Sequence, residues 1–362
     1  MIHLTDREFI KKTILLANKG KGYVSPNPLV GSIIVKNGDI IGEGYHKCFG
    51  KEHAEIVALR QVGENARGAT LYVNLEPCCH FGKTPPCTDA IIKAGIKRVV
   101  IGMVDPNPLV NQQGIKILRE NGIDVESGIE KETCEQLNSA FIKYIKTGLP
   151  YVTLKIAQSL DGRIATATGH SRWITSEPAR KEAHRLRAEN DVILVGIGTV
   201  LADDPQLTVR MVKGNNPVRI ILDSSLRIHL DSQMLNDEFV NKTIVATTNE
   251  NVNKIEKIKN RGAHVWLLEK DANGRVSLPG LLKKIGRAKK STVMVEGGAE
   301  IFTSFLKEKL ADRIVFALAP KILGAGKEAI GDLGINLVDD GVHLKNLKIN
   351  KVGVDLIVDG VL

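Results

Sequence analysis

Two short stretches decide how this chain is read: His53-Ala54-Glu55, and Glu76-Pro77-Cys78-Cys79-His80-Phe81-Gly82-Lys83-Thr84-Pro85-Pro86-Cys87. A neutral imidazole from His53 and thiolates from Cys78 and Cys87 supply three zinc ligands, which leaves the fourth tetrahedral position for water. Zinc lowers the pKa of such a water towards neutrality. Glu55, two residues after the histidine, can shuttle the proton without binding the metal. A closed structural site is the competing arrangement, and it needs a fourth protein ligand. Cys79 adjoins Cys78 and competes with it sterically, so His80 is the stronger candidate. Glu55 has no task in a closed site, and the pattern therefore points to a catalytic, hydrolytic centre.

The combination resembles the signature of hydrolytic zinc deaminases, with one departure. Eight residues separate Cys78 from Cys87, where the general pattern has two. Around it stand Ser25-Pro26-Asn27-Pro28-Leu29-Val30-Gly31, Gly44-Tyr45-His46 and the 82–87 insert. The second half adds Ser159-Leu160-Asp161-Gly162-Arg163, Trp173-Ile174-Thr175-Ser176, the run from Val195-Gly196-Ile197-Gly198-Thr199 to Asp203-Asp204-Pro205, and Val295-Glu296-Gly297-Gly298. In this order the series resembles the bifunctional riboflavin-biosynthesis deaminase/reductase family over nearly the whole chain.

The 362 residues are enough for two domains, each with its own core. A formal charge of +9 suits acidic ligands, either nucleic acid or phosphorylated small molecules. The basic residues are scattered, with no basic block and no stripe interleaved with aromatics, so phosphorylated small molecules fit better. Of five cysteines, two are committed to metal. Cys48, Cys79 and Cys134 are then expected as free thiols in a reducing compartment. The Met1–Arg7 stretch has no apolar signal core, and no apolar run is long enough for a membrane span. A cytoplasmic protein without membrane association is expected.

Thr5 or Asp6 can cap an opening helix with Phe9, Ile10, Ile14, Leu15 and Leu16 as its apolar stripe. Residues 31–35 and 40–44 read as a hairpin turned at Asn37-Gly38. A helix carrying His53, Glu55, Ala58 and Leu59 follows. Next come a strand over 70–75, a helix from about Pro86 and a strand over 98–102. Alternating strands and helices imply an α/β sheet with its site at the strand ends. Both His53 and Cys87 then fall near helix N-termini, whose dipole favours thiolate. The helical pattern breaks at Lys146-Thr147-Gly148-Leu149-Pro150, which divides the chain into domains at 1–147 and 148–362. The second half alternates again, with strands near 192–195, 218–222, 243–246, 265–268 and 292–295. Its strand-rich end, 313–319 and 348–359, predicts an α/β domain with an antiparallel edge.

The resemblance implies a cytidine-deaminase-like three-layer α/β domain followed by a dihydrofolate-reductase-like α/β domain. In the first, it implies His53, Cys78 and Cys87 as metal ligands, Glu55 as acid/base, and Asn27, His46, His80 and Lys83 as substrate contacts. Asp105 and Asn107 are weaker candidates, because Asp-Pro and Asn-Pro also start turns. In the second, the implied NADPH-lining residues are Ala157, Trp173, Thr199, Asp203, Ser224 and the stretch Gly298, Ala299, Glu300, Ile301, Phe302, Thr303, Ser304. Ser171, Arg187, Leu207, Arg210 and Glu296 are implied for the substrate, and Lys155 for the reaction centre. By residue type alone, Trp173 reads as a core aromatic and Leu207 as a packing residue. The glycine pair 297–298 between strand and helix suits backbone amides approaching a pyrophosphate.

The activity so implied is zinc-dependent hydrolytic deamination of 2,5-diamino-6-(5-phosphoribosylamino)pyrimidin-4(3H)-one. NADPH reduction of 5-amino-6-(5-phosphoribosylamino)uracil to its ribitylamino product would follow. A symmetric homo-oligomer is also implied. The alternative is a nucleic-acid base deaminase with a binding module, which predicts a contiguous basic groove. A zinc-stabilised scaffold without turnover is a further rival.

Overall fold

Thr5 opens the first helix with a capping box: its hydroxyl accepts the Glu8 amide, while the Glu8 carboxylate accepts the Thr5 amide. In this computed structural model, which describes residues 4–81, 85–108 and 110–362, the chain divides into two compact units, Met1–Gly148 and Leu149–Leu362.

In the first unit, helix α1 (Asp6–Asn18) precedes a hairpin of β1 (Gly31–Lys36) and β2 (Asp39–Tyr45). The hairpin turns through Asn37 and Gly38, both at positive φ (54° and 90°), as a two-residue primed turn requires. There follow α2 (Ala54–Val62), β3 (Thr70–Leu75), α3 (Cys87–Lys93), β4 (Arg98–Met103), α4 (Gln113–Glu120), β5 (Asp124–Ser127), α5 (Lys131–Leu137) and α6 (Ser139–Thr147). The sheet order is β2-β1-β3-β4-β5. β1 runs antiparallel to both neighbours, while β3, β4 and β5 are parallel.

Alternation along the strands divides the core between the two faces of the sheet. Ile33, Tyr72 and Val100 pack with Phe9, Ile10 and Cys134. Ile34, Leu71, Val73, Val99 and Ile101 pack with Ala58, Val62, Ile91 and Leu118. The expected α1 stripe is corrected at one position, since Leu15 is 68% exposed.

The second unit contains β6 (Tyr151–Ser159), β7 (Arg163–Thr166), α7 (Glu177–Glu189), β8 (Val192–Gly196), α8 (Ile197–Asp203), β9 (Val218–Leu222), β10 (Thr243–Thr247), α9 (Val252–Asn260) and β11 (His264–Leu267). It continues with α10 (Leu278–Arg287), β12 (Thr292–Glu296), α11 (Ala299–Lys307), β13 (Arg313–Ala319), β14 (Gly326–Glu328), β15 (Lys345–Val352) and β16 (Asp355–Val361). Nine strands form one sheet in the order β11-β10-β9-β8-β12-β6-β13-β16-β15. β6 and β8 to β13 are parallel, and β16 and β15 add the antiparallel edge.

β8 and β10 are buried along their whole length, as central strands covered on both faces must be. β12 returns to lie between β8 and β6, so the winding reverses there; crevices beyond strand ends at such a reversal are where open α/β sheets bind ligands. The Ser159–Arg163 motif forms a latch. Asp161 accepts the Ser159 hydroxyl (2.6 Å) and the Gly324 amide (2.7 Å), and Arg163 pairs with Glu328.

Candidate active sites

His53 is the N-cap of α2, Cys87 is the first residue of α3, and Cys78 lies on the loop after β3. His53 Nδ1 stands 3.4 Å from Cys78 Sγ and 3.3 Å from Cys87 Sγ. All three donor atoms lie within 4.8 Å of one another. Tetrahedral zinc with ordinary bond lengths would separate nitrogen from sulfur by about 3.5 Å and the two sulfurs by about 3.8 Å. The donor set therefore fits that ion. Among the described residues neither Cys79 nor His80 joins the group, so a closed four-ligand site is not formed.

The electrostatics agree. A hydrogen bond from Cys87 holds the Cys78 thiol down to about 4, helped by His53 and by the Cys87 amide, which donates to Cys78 Sγ at 3.4 Å. Glu55 follows in the first turn of α2, 3% exposed, with Oε2 lacking any hydrogen-bond partner. Burial pushes its carboxyl up to about 7, and the nearby Cys78 adds to the effect. An orphaned buried oxygen costs about 1–3 kcal/mol and is the kind of exception that catalysis explains. Helix α2 reaches this position because Gly44 on β2 has no side chain: a Cβ there would stand 2.2 Å from the Ala54 carbonyl oxygen.

His53, Glu55 and Cys78 line a cavity of ≈ 340 Å³ whose walls include Asn27, His46, His80, Asp105 and Asn107 together with Phe141 and Tyr144. Its size suits a small organic ligand. Asn27 Nδ2 lies 3.1 Å from His46 Nε2, and His46 Nδ1 lies 2.9 Å from the Glu52 carbonyl oxygen. That pattern is met by a neutral ring protonated on Nδ1, with the Asn27 amide donating to Nε2. Burial, with His53 nearby, holds His46 down to about 4. Asp105, pushed up to about 6 by burial, lines this cavity together with Asn107, and its Oδ1 also accepts the Asn107 N–H at 2.8 Å, the bond of a turn. Lys83 lies outside the described residues.

Sequence reasoning missed Glu76. Its carboxylate accepts the main-chain amides of Asp105 (3.1 Å), Gln112 (3.0 Å) and Ile115 (3.2 Å). It thus ties the chain after β4 against the cysteine loop. The only signal is its place in the 76–87 stretch.

In the second unit, some of the implied cofactor residues stand at or near the ends of neighbouring strands, beside Gly196 and Gly297. Ala157 is on β6, Gly196 ends β8, Ser224 follows β9, and Gly297-Gly298 follow β12. Both glycines have positive φ, 88° and 94°. A Cβ on Gly297 would stand 3.0 Å from Thr199 Oγ1. The α11 helix starts immediately after them, where first-turn amides have no intrahelical acceptor and suit an anionic group.

Ser171 Oγ donates to Asp203 Oδ1 at 3.0 Å. Trp173 is 63% exposed, with the Arg180 guanidinium 4.5 Å from its ring centroid. This corrects its reading as a core aromatic.

Lys155 on β6 is in register with Glu296 on β12. Burial lowers its pKa, and Glu296 opposes that effect. Glu296 in turn accepts a forked pair from Arg187, Nε at 2.6 Å and Nη2 at 2.9 Å. Arg187 Nη1 reaches the Thr208 carbonyl at 3.1 Å. Arg210 is exposed, and its Nη1 donates to Thr208 Oγ1 at 3.1 Å.

Several implied contacts are not brought to the site by their side chains. Phe302 is 1% exposed and packs in the core, because its helix face is turned to the sheet. Leu207 is buried in the other core cluster, which agrees with the packing role its type suggests. The Thr303 and Ser304 hydroxyls donate to the Ala299 and Glu300 carbonyls, one turn back. Gly298, Ala299 and Glu300 are the part of that stretch whose backbone suits a phosphate.

Comparison with known proteins gives one family match within each unit. Residues 4–103 match the cytidine and deoxycytidylate deaminase zinc-binding region, and residues 150–358 match the RibD C-terminal domain. The riboflavin biosynthesis protein RibD of Aquifex aeolicus is 50% identical over 359 residues, covering 99% of each chain. The Acinetobacter baumannii RibD structure (form 1) superposes with a TM-score of 0.87 at 37% identity over 98% of each chain. The diaminohydroxyphosphoribosylaminopyrimidine deaminase/5-amino-6-(5-phosphoribosylamino)uracil reductase of Thermotoga maritima matches with a TM-score of 0.87 at 39% identity, over 98% of this chain and 97% of its own. With the His-Cys-Cys cluster in one unit and the wound sheet in the other, the chain belongs to the RibD family, the bifunctional deaminases and reductases of riboflavin biosynthesis.

Proposed function

We propose that residues 1–147 release ammonia from 2,5-diamino-6-(5-phosphoribosylamino)pyrimidin-4(3H)-one and that residues 148–362 reduce the resulting uracil to its ribitylamino form. The observation that carries the first half is the unpartnered, buried Glu55 oxygen beside the His53–Cys78–Cys87 cluster. These three residues would hold zinc, which when bound supplies Lewis-acid activation of water at neutral pH. Glu55 then takes a proton from water and returns it to the departing amino group. Asn27, held by His46, orients the pyrimidine ring, with His80 towards the phosphate.

In the second half, Trp173, Thr199, Asp203, Ser224 and the Gly298–Glu300 backbone would hold NADPH, which supplies the hydride. Lys155, half-buried beside a Glu296 whose carboxylate is already forked by Arg187, would give its proton at the reacting sugar. Ser171 and Arg210 would receive the substrate, with Arg187 and Glu296 shaping the floor of the site. A cytoplasmic homo-oligomer acting on phosphoribosylaminopyrimidines fits a family of this kind. Among the described residues no helix is long and apolar enough to cross a membrane. A nucleic-acid base deaminase is not favoured in a chain that matches RibD from end to end.

The test follows ammonia and NADPH in one tube after addition of the diaminopyrimidine ribosyl phosphate. Ammonia release followed by NADPH oxidation is expected. Ammonia without oxidation would overturn the reductase half. Removing zinc with a chelator should stop ammonia release while the first unit keeps its circular dichroism; unfolding on chelation would favour a scaffold role for the metal.

A further inference from the structure

Helix α7 carries His184 and Arg187 one turn apart, and both reach the segment 207–210, which lies outside any strand. His184 Nδ1 accepts the main-chain N–H of Arg210 at 3.1 Å. Arg187 donates to the Thr208 carbonyl at 3.1 Å, and Asn216 Oδ1 accepts the Val209 N–H at 2.6 Å. Three side chains thus pin a strap that has no ladder of its own and that turns through Leu207 at φ 54°.

His184 is 6% exposed. Because its Nδ1 accepts, the ring proton sits on Nε2 and the imidazole is neutral. The charged groups around it are Arg187, Arg210 and Glu296. Protonation would place a third cation beside two arginines and turn the acceptor into a donor facing an N–H.

We infer that His184 is a positioning residue of the reductase site: by fixing the Arg210 main chain, it sets where the Arg210 guanidinium meets the anionic end of the substrate. The inference rests on the reading of Arg210 as a substrate contact. It assigns His184 no contact with the reacting atoms.

The test uses the full chain. His184→Leu removes the acceptor at similar bulk, and His184→Asn keeps an oxygen near the position of Nδ1. Loss of one hydrogen bond of this kind is worth about 1 kcal/mol. The KM for 5-amino-6-(5-phosphoribosylamino)uracil should therefore rise about 5- to 10-fold in the leucine variant. Its kcat and its KM for NADPH should stay near parental values, and the asparagine variant should recover most of the loss. Ammonia release by the first unit serves as the control for intact protein.

An unchanged KM in His184→Leu, a loss confined to kcat, or an asparagine variant no better than leucine would overturn the inference. Arg210→Gln separates the two layers. If it leaves KM unchanged, the substrate-contact reading fails and the inference with it; if it raises KM while His184→Leu does not, the inference alone fails. Should the leucine variant not fold, ¹⁵N spectra of the unmodified protein decide. An unprotonated Nδ1 on His184 with a slowly exchanging Arg210 amide supports the inference, and a protonated Nδ1 overturns it.

Discussion

Glu55 in the first unit and Glu296 in the second are both buried glutamates, yet their surroundings leave them in opposite states. Glu55 keeps an oxygen with no partner, and burial raises its carboxyl to about 7. Burial would raise Glu296 too, but the forked Arg187 guanidinium overrides it and holds the carboxyl below its ordinary value. The first carboxyl can gain and lose a proton near neutrality, which a proton carrier needs. The second is a permanent charge, useful for holding Arg187 and for setting the field at Lys155. Burial alone therefore does not mark an acid–base residue; in Glu55 it is burial with an unpartnered oxygen beside the His53–Cys78–Cys87 cluster that does.

The contrast breaks most visibly at Glu55. Glu55→Gln keeps the shape and removes the proton carrier, so ammonia release should fall by about 10³-fold or more, near the upper range for general acid–base catalysis. Reduction of pre-deaminated substrate by the same protein should be unaffected. Loss of both activities in folded, zinc-loaded protein would refute independent sites.

Glu296→Gln should act differently, because it leaves the Arg187 guanidinium with half its carboxylate. We expect a fall of about 10²-fold in reductase kcat/KM, some 2.7 kcal/mol, accompanied by a lower melting temperature. A fall without destabilisation would argue that Glu296 meets the substrate directly.

The two carboxyls also separate by pH in the metal-free protein. A raised folded pKa contributes stability that is present below the unfolded value, near 4.5, and lost as pH rises through about 7. Measured against Glu55→Gln, the parent should therefore lose on the order of 2 kcal/mol between pH 5 and pH 8. Glu296 has the opposite sign: its contribution is present above about 4.5 and lost as pH falls further. Denaturant titrations of parent and variants at several pH values check both slopes, and a flat difference for Glu55 would mean that its carboxyl is solvated.

Much of the first site is legible in the amino-acid sequence. The His53, Glu55, Cys78 and Cys87 pattern carries its own chemistry, because few residue types bind zinc and a spare acid is conspicuous beside them. The Asn37-Gly38 turn and the Thr5 cap are legible because they are local, set by residues within three or four positions. Pairings across the sheet are not. Arg187 and Glu296 are 109 residues apart, and each alone looks like a ligand contact. Trp173 and Leu15 mislead because residue type predicts average burial: Leu15 sits on the outward side of α1, and Trp173 lies in the turn before α7. His184 gives no signal at all, since a histidine on a basic helix reads as surface until the strap it holds is seen.

The three amides gathered by Glu76 have a consequence for anyone scoring variants of this enzyme. In a genetic screen for lost ammonia release, Glu76 alleles would be returned beside those of Glu55 and the cysteines. A table of hits would then file it as part of the chemistry. Its carboxylate is spent on the amides of Asp105, Gln112 and Ile115, so such alleles would report a displaced cavity wall. Zinc content would stay at parental level in them, a measurement that sorts architects from reagents.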